Sequence, residues 1–296
     1  MMKKIYLVII YVIFLQLLFS CSFGWSEFFY RPDAVNSRTK SIADFDINGL
    51  APDTGDSDCF SVLVVTDVHF GTSDDNLPEK LLQWADVKKT SLAAEGYPLK
   101  FSICLGDVTS SGASSEYDDY ADFCIKMKSD LDVQMYTIPG NHDLYNSGWS
   151  KWESKVFPNK GAYRFTTSSS SGKKMSWYFI DTANGTLGNP QINDLKAKMK
   201  ADRNRKLVFS HYPIYGDGHW YYILQNVNER DTLINLFAKN DVVGIFSGHA
   251  HYEKRCQFGN YFFEKTLNAF KRTGTVAVVK VDVAHGTCDY DCYDLK

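Results

Sequence analysis

This chain lacks any strong excess of positive or negative charge, and it has no basic run. Its 32 Lys and Arg stand against 35 Asp and Glu, for a formal net charge of -3 over 296 residues. Nucleic-acid binding therefore has no electrostatic case, and a nuclease has little support. The seven Cys show neither a zinc-finger spacing nor a redox CxxC pair. No internal repeat is present. A phosphate-binding GK loop is also absent: Gly172-Lys173 occurs, but Thr167 stands where that loop requires its first Gly. What is plentiful is aromatic, with 18 Tyr and 20 Phe. That excludes disorder over the whole length, and the length suffices for one large core.

The first residues read as a targeting segment. Lys3 and Lys4 precede the apolar stretch Ile5–Phe19, which only Gln16 interrupts. It is short for a membrane span and suits a secretory signal. It ends Leu18-Phe19-Ser20-Cys21, which resembles a bacterial lipoprotein signal. The resemblance implies lipidation of Cys21 and an exported protein held to a membrane, in the periplasm or at the cell surface. Phe19 departs from the small residue usual two before the Cys. An ordinary signal peptide and an uncleaved anchor helix are the other readings. Residues 22–58 show little periodicity and read as a tether and lead-in, and the globular domain is expected over residues 59–296. Cys104 and Cys124 read as packing residues. Cys288 and Cys292 lie close in sequence, and an exported chain permits a disulfide there, with the pairing left open.

From Cys59 the chain alternates strands and helices. Phe60 begins an apolar, β-branched run ending in Asp67-Val68-His69. A helix is expected from Pro78 to about Gly96, a strand over Lys100–Leu105, a helix over Ser114–Leu131 and a strand over Asp132–Ile138. Then come a short helix at Trp149–Val156, strands at Tyr163–Thr167 and Met175–Asp181, and a helix over Pro190–Ala201. Next are a strand over Lys206–Ser210, a helix over Gln225–Lys239 and a strand over Val242–Ser247. The end is β-rich: Gln257–Phe263, Thr275–Val283 and Thr287–Tyr293. The rhythm argues for βαβ units and a largely parallel sheet.

Five of these strands end in metal-type residues: Asp67 with His69; Asp107; Asn141 with His142; His211; and His249 with His251. Asp67 and His69, two residues apart, leave the strand end on the same side. In an open α/β sheet, ligands gather beyond the C-terminal strand ends, so these blocks converge on one edge. There are too many N and O donors for one tetrahedral ion, and no thiolate is among them. Two ions are therefore expected, with a carboxylate between them, and the middle Asp107 is the natural bridge.

Asp67-x-His69, Gly106-Asp107, Gly140-Asn141-His142-Asp143, His211 and Gly248-His249-x-His251 resemble, in order and spacing, the motifs of the calcineurin-like metallophosphoesterases. The resemblance implies an αββα sandwich, an α/β fold of two mixed sheets flanked by helices, with the β-rich end completing the second sheet. It implies Asp67, His69 and His251 on one metal, Asn141, His211 and His249 on the other, and Asp107 between them. It implies attack on a phosphomono- or phosphodiester by a metal-bound hydroxide, with His142 as general acid. The donor set suits Mn, Fe or Zn, as two divalent or trivalent ions.

Departures narrow the expectation. Where protein Ser/Thr phosphatases carry Gly-Asp-x-x-Asp-Arg-Gly, this chain has Ser110 for the Asp that orients the catalytic His and Ser111 for the phosphate-gripping Arg. What orients His142 is thus left open. Purple acid phosphatases place a Tyr where Ser110 stands, so their Fe(III)-phenolate centre is not expected. The loop His211–Tyr222 carries Tyr212, Tyr215, His219 and Trp220, which could wall a substrate pocket; ordinary aromatic packing is an equal reading. A cell-surface binding lipoprotein that keeps the fold without turnover is the alternative function.

Overall fold

The computed structural model describes residues 35–72, 76–216 and 222–296. The N-terminal signal, Cys21, His219 and Trp220 lie outside the described residues.

The chain begins with α1 (Val35–Arg38), β1 (Ala43–Asp44), α2 (Phe45–Asn48), β2 (Cys59–Val65), α3 (Asn76–Ala94) and β3 (Leu99–Cys104). It continues through α4 (Ser114–Leu131), β4 (Gln134–Thr137), a 3-10 turn (His142–Ser147), α5 (Gly148–Lys155), β5 (Tyr163–Ser168) and β6 (Lys174–Ile180). Then follow α6 (Asn189–Ala201), β7 (Arg205–Ser210), α7 (Val227–Lys239), β8 (Val242–Ser247), β9 (Lys254–Phe258) and β10 (Phe262–Thr266). The last elements are α8 (Phe270–Thr273), β11 (Thr275–Asp282) and β12 (Thr287–Asp294).

The strands form two mixed sheets, one ordered β1-β5-β6-β7-β8-β10-β9 and one ordered β12-β11-β2-β3-β4. Within them β2, β3 and β4 run parallel, as do β6, β7 and β8. Phe60, Phe101, Phe165, Trp177, Phe209 and Phe246 fill the layer between the sheets. A second core seals α3 and α4 on the five-stranded sheet, and a third seals α6 and α7 on the other. The layers are therefore αββα.

Local chemistry explains the boundaries. Glu116 in the first turn of α4 reaches back to accept from the backbone N–H groups of Ser111 and Ala113, covering donors a helix start leaves open. At the other end Asp132 takes the left-handed conformation that closes the helix. The periodicity of α4 leads one to expect an inner stripe of Tyr117, Ala121, Cys124 and Met127. Tyr117 and Met127 are buried as expected, together with Tyr120, Phe123 and Leu131, while Ala121 and Cys124 are only partly buried.

Three expectations change. The β-rich end completes the second sheet only in part, where β10 and β9 extend it beyond β8. β11 and β12 join the first, with β11 antiparallel to β2. Strand β2 is buried along nearly its whole length, and β11 covers an edge that would otherwise be open. The expected single strand at Gln257–Phe263 is a hairpin, because the chain turns at Gly259 with φ 53° to pair β9 with β10. Cys288 and Cys292 lie four residues apart on one strand, about 13 Å, beyond the roughly 7 Å that a disulfide spans.

The described part of the segment read as tether and lead-in is packed on the domain. Val35, Ile42 and Phe45 are buried, Phe45 stacks on Tyr163 at 4.6 Å, and β1 pairs with β5.

Candidate metal centre

Every block the sequence singled out sits just past the C-terminal end of a parallel strand: β2, β3, β4, β7 or β8. Asp67, His69, Asp107, His249 and His251 all hold positive φ, between 52° and 62°. Such backbone is strained for a side-chain-bearing residue, on the order of 1–3 kcal/mol each, and persists where a site demands it. Two glycines let the turns close. A Cβ on Gly140 would come within 2.2 Å of Asp107 Oδ1, and one on Gly248 within 1.8 Å of Thr66 Oγ1.

The donor atoms gather into overlapping sets. One is Asp67, His69 and His251; another is Asp107, His211 and His249; a third is His69, Asp107 and His142, each with donors within 4.8 Å of one another. His251 Nε2 lies 2.9 Å from Asp67 Oδ1. Asp107 Oδ2 lies 3.5 Å from His69 Nε2, and its Oδ1 lies 3.4 Å from His211 Nε2. Asn141 Oδ1 completes the second group, 3.1 Å from His211 Nε2. The Asp107 carboxylate thus faces both groups.

The donor set fits metal ions on a specific observation. His69 is fully buried, yet neither of its ring nitrogens has a hydrogen-bond partner. An orphaned buried donor and acceptor is costly, and an ion on Nε2 removes half of the problem. Burial pulls the pKa of His69 and His211 to about 4 and that of His249 to about 3. These imidazoles are neutral at pH 7, with a lone pair available. Burial opposes the Asp67 charge, but the His251 and His69 rings beside it hold its pKa well below the usual carboxylate range. Asp107 is pushed the other way, by burial and then by the charges of Asp67 and Asp143. A carboxylate kept ionised there needs cations beside it.

His142 is placed by backbone. Its Nδ1 lies 2.7 Å from the Ser110 carbonyl oxygen, and its own N–H donates to Asp107 Oδ1 at 2.8 Å. The carbonyl only accepts, so Nδ1 carries the proton. The loop below is held by buried Asp143, which accepts from Gly140 N, Thr109 N and Thr109 Oγ1. The contact that orients His142 was invisible in the sequence because it comes from a main-chain atom.

Of the expected substrate contacts, Tyr212 lies at the site, stacked on His249 with ring centroids 3.7 Å apart. Tyr215 turns away and meets Phe258. Tyr145, not foreseen, has its ring 4.7 Å from that of His142 and accepts from Asn141 Nδ2. Buried Glu264 accepts from the N–H groups of Ile214, Tyr215 and Gly216 and so fixes the loop after β7.

Lys271 was also missed. Helix α8 is tied to the end of β2, with Phe270 N donating to Thr66 O and Lys271 N to Asp67 O. Burial lowers the Lys271 pKa, the Asp67 and Asp107 carboxylates raise it, and its charge acts on His69 and His142. No motif marks this residue, and it follows the last recognisable block by twenty positions.

Comparison with known proteins agrees with this geometry. A family model for calcineurin-like phosphoesterases matches residues 60–253, well over half of the chain. A probable cyclic nucleotide phosphodiesterase from Fibrobacter succinogenes is 26% identical over 203 residues, covering 65% of this chain and 73% of its own. Another from Colwellia psychrerythraea is 25% identical over 208 residues, covering 63% and 69%. Among solved structures, a dimetal phosphatase from Danio rerio superposes with a TM-score of 0.58 at 14% identity, covering 80% of this chain and 99% of that one. GAP50, the anchor in the inner membrane complex of Plasmodium, gives 0.62 at 14% identity, covering 80% and 85%. These two structures share the fold. On the family match, the chain belongs to the calcineurin-like phosphoesterases, metal-dependent hydrolases of phosphate esters.

Proposed function

We propose that this phosphoesterase acts on phosphodiesters of the cyclic nucleotide class, with a pair of Mn, Fe or Zn ions held by Asp67, His69, His251, Asn141, His211 and His249 and bridged by Asp107. The observation that carries the two-ion reading is the Asp107 carboxylate, whose two oxygens face the two groups of imidazoles at 3.5 and 3.4 Å. The named activity of the two bacterial relatives supports the substrate class. So does Tyr212, an aromatic face beside the site on which a base can stack.

Bound ions would clamp the phosphoryl oxygens and make water a nucleophile at neutral pH. The chain's own residues do the rest. Asn141 and His142 follow β4 on a loop that Asp143 locks to Thr109 and Gly140. Water adds to phosphorus, giving up one proton to solvent, as the ester oxygen departs. The departing oxygen takes the proton from Nε2 of the His142 imidazolium, while Nδ1–H stays on the Ser110 carbonyl throughout. Burial lowers the His142 pKa, which makes the ring a stronger acid toward an alkoxide.

The test is hydrolysis by metal-reconstituted protein of bis-p-nitrophenyl phosphate, p-nitrophenyl phosphate and a cyclic nucleotide. The expected order has both diesters turned over faster than the monoester, with turnover lost in Asp107→Ala. Turnover of the monoester alone would reject the diester assignment.

We also propose export and membrane anchoring through Cys21. Lys3 and Lys4, the apolar Ile5–Phe19 and the following Ser20-Cys21 support it. Among the described residues no helix is long and apolar enough to cross a membrane. Labelling with a radioactive fatty acid, lost in Cys21→Ser, tests it.

A further inference from the structure

The opposite end of the strands holds a second concave surface. Its cavity is about 420 Å³ and lies between the β5–β6 turn, the start of β7 and the β11–β12 turn. Lys173, Lys174, Arg203, Arg205 and His285 line it, and no Asp or Glu does. Lys174 opens β6 and Arg205 opens β7, whereas His211 follows the last residue of β7. A six-residue strand separates the two places by about 20 Å, so this cavity is distinct from the metal centre.

The cations there are not neutralised from within. Asp282 takes His285, at 2.7 Å from Nδ1. Asp58 accepts from Ser170, and Asp202 accepts from Tyr178 and Asn204. Among the described residues, Lys173, Lys174, Arg203 and Arg205 form no ion pair and no side-chain hydrogen bond. Arg205 is also seated: a Cβ on Gly286 would come within 2.5 Å of Arg205 Cγ, so glycine lets the arginine stem cross the β11–β12 turn. Four unpaired cations around one cavity repel each other, and they do so on a chain whose net charge is -3. A concave surface of one sign concentrates counter-ions of the other.

We propose that this cavity is a second, non-catalytic anion site that takes a ligand carrying two or more phosphate groups. One phosphate brings a charge of about −2 and answers two cations; four call for a di- or polyphosphate or for adjacent phospholipid headgroups. The cavity size is that of a small-ligand site. The Ser168–Lys174 turn thereby gains a role although it is no nucleotide loop.

The test compares full-length, metal-loaded wild type with K173Q/K174Q and with K173Q/K174Q/R203Q/R205Q. The probe is inorganic tripolyphosphate titrated by calorimetry, with free Mn held in excess so that chelation does not strip the protein. Wild type is expected to bind one equivalent more than the quadruple variant, and the double variant to bind that equivalent about tenfold more weakly. Turnover of bis-p-nitrophenyl phosphate, unchanged in both, shows that they fold. Flotation with phosphatidylglycerol vesicles, against phosphatidylcholine vesicles, separates the sources. An excess on the anionic vesicles that the quadruple variant loses assigns the site to headgroups; no excess, with the extra tripolyphosphate equivalent intact, assigns it to a soluble ligand. Equal stoichiometry and affinity in wild type and quadruple variant overturn the proposal.

Discussion

The His142 imidazole is oriented by the main chain: Nδ1 faces the Ser110 carbonyl oxygen at 2.7 Å, in the segment where protein phosphatases use an Asp side chain. A backbone acceptor does the orienting without adding a negative charge to a site that already holds Asp67, Asp107 and Asp143. His142→Ala is expected to lower kcat by about 10²–10⁴-fold on esters with alkoxide leaving groups. The loss should be far smaller on p-nitrophenyl esters, whose leaving group needs no proton. Ser110→Ala keeps the carbonyl, so kcat should stay near wild type. It removes the Ser110 Oγ contacts with His69 O and Thr72 Oγ1, at about 1 kcal/mol of stability. Kinetics across a series of leaving groups, with urea unfolding alongside, reads both effects.

Asp107 stands between the two groups of imidazoles, whereas Asp67 belongs to one. Removing Asp107 should therefore lower metal content at both positions, and removing Asp67 mainly at one. Elemental analysis after dialysis distinguishes them: near zero ions per chain for Asp107→Ala and about one for Asp67→Ala. Wild-type protein should also unfold later with metal present, by about 2.7 kcal/mol per bound ion at a hundredfold excess over Kd. Asp107→Ala should show no such gain.

Lys271 lies on α8 beside Asp67, and its charge acts on Asp67, Asp107, His69 and His142. The phosphate-gripping Arg of the protein phosphatases is Ser111 here, and whether Lys271 answers a substrate phosphoryl oxygen in its place is what a Lys271 variant tests. Lys271→Met is expected to reduce kcat/KM about tenfold, mostly through KM, and Lys271→Arg to recover part of it. If Lys271 only supported the fold, the Met variant would lose stability with KM unchanged.

What was legible in the chain was local. Runs such as Val62–Val65 and Val242–Ser247 announce buried strands, and Asp67, His69, His249 and His251 follow them within four residues, so strand and site were read together. Pairings that close over long distances were not. Nothing in Thr275–Asp282 says that it lies against β2 rather than in the other sheet. Contacts made by main-chain atoms, such as Ser110 O on His142, leave no residue type to recognise. Lys271 enters the site through a four-residue helix whose sequence carries no motif. Phe45 is buried in a segment with too few residues per element to show a period.

That segment also supports the metal centre, and acid should reveal it. Arg38 donates to both oxygens of buried Asp181, at 2.7 and 2.9 Å, and Thr39 Oγ1 donates at 2.6 Å. The next residue, Thr182, accepts at Oγ1 from the N–H groups of His211 and Tyr212. Arg38 thus holds the turn on which His211 rests. Burial opposes the Asp181 charge, but Arg38 and the hydrogen bonds keep its pKa below the usual carboxylate range. A carboxyl whose pKa is lower folded than unfolded adds stability above its unfolded value, near 3.9, and loses it as pH falls through the folded one. The stability gap between wild type and Asp181→Asn should therefore be full at pH 7 and narrow below about pH 4. Arg38→Met leaves the Asp181 charge buried without its partner and should cost about 3–5 kcal/mol at pH 7. Urea unfolding at pH 7, 5 and 3 measures both. Because the strain passes through Thr182 to His211, Arg38→Met should also weaken metal binding, which a Lys40→Met control at an exposed neighbour should not.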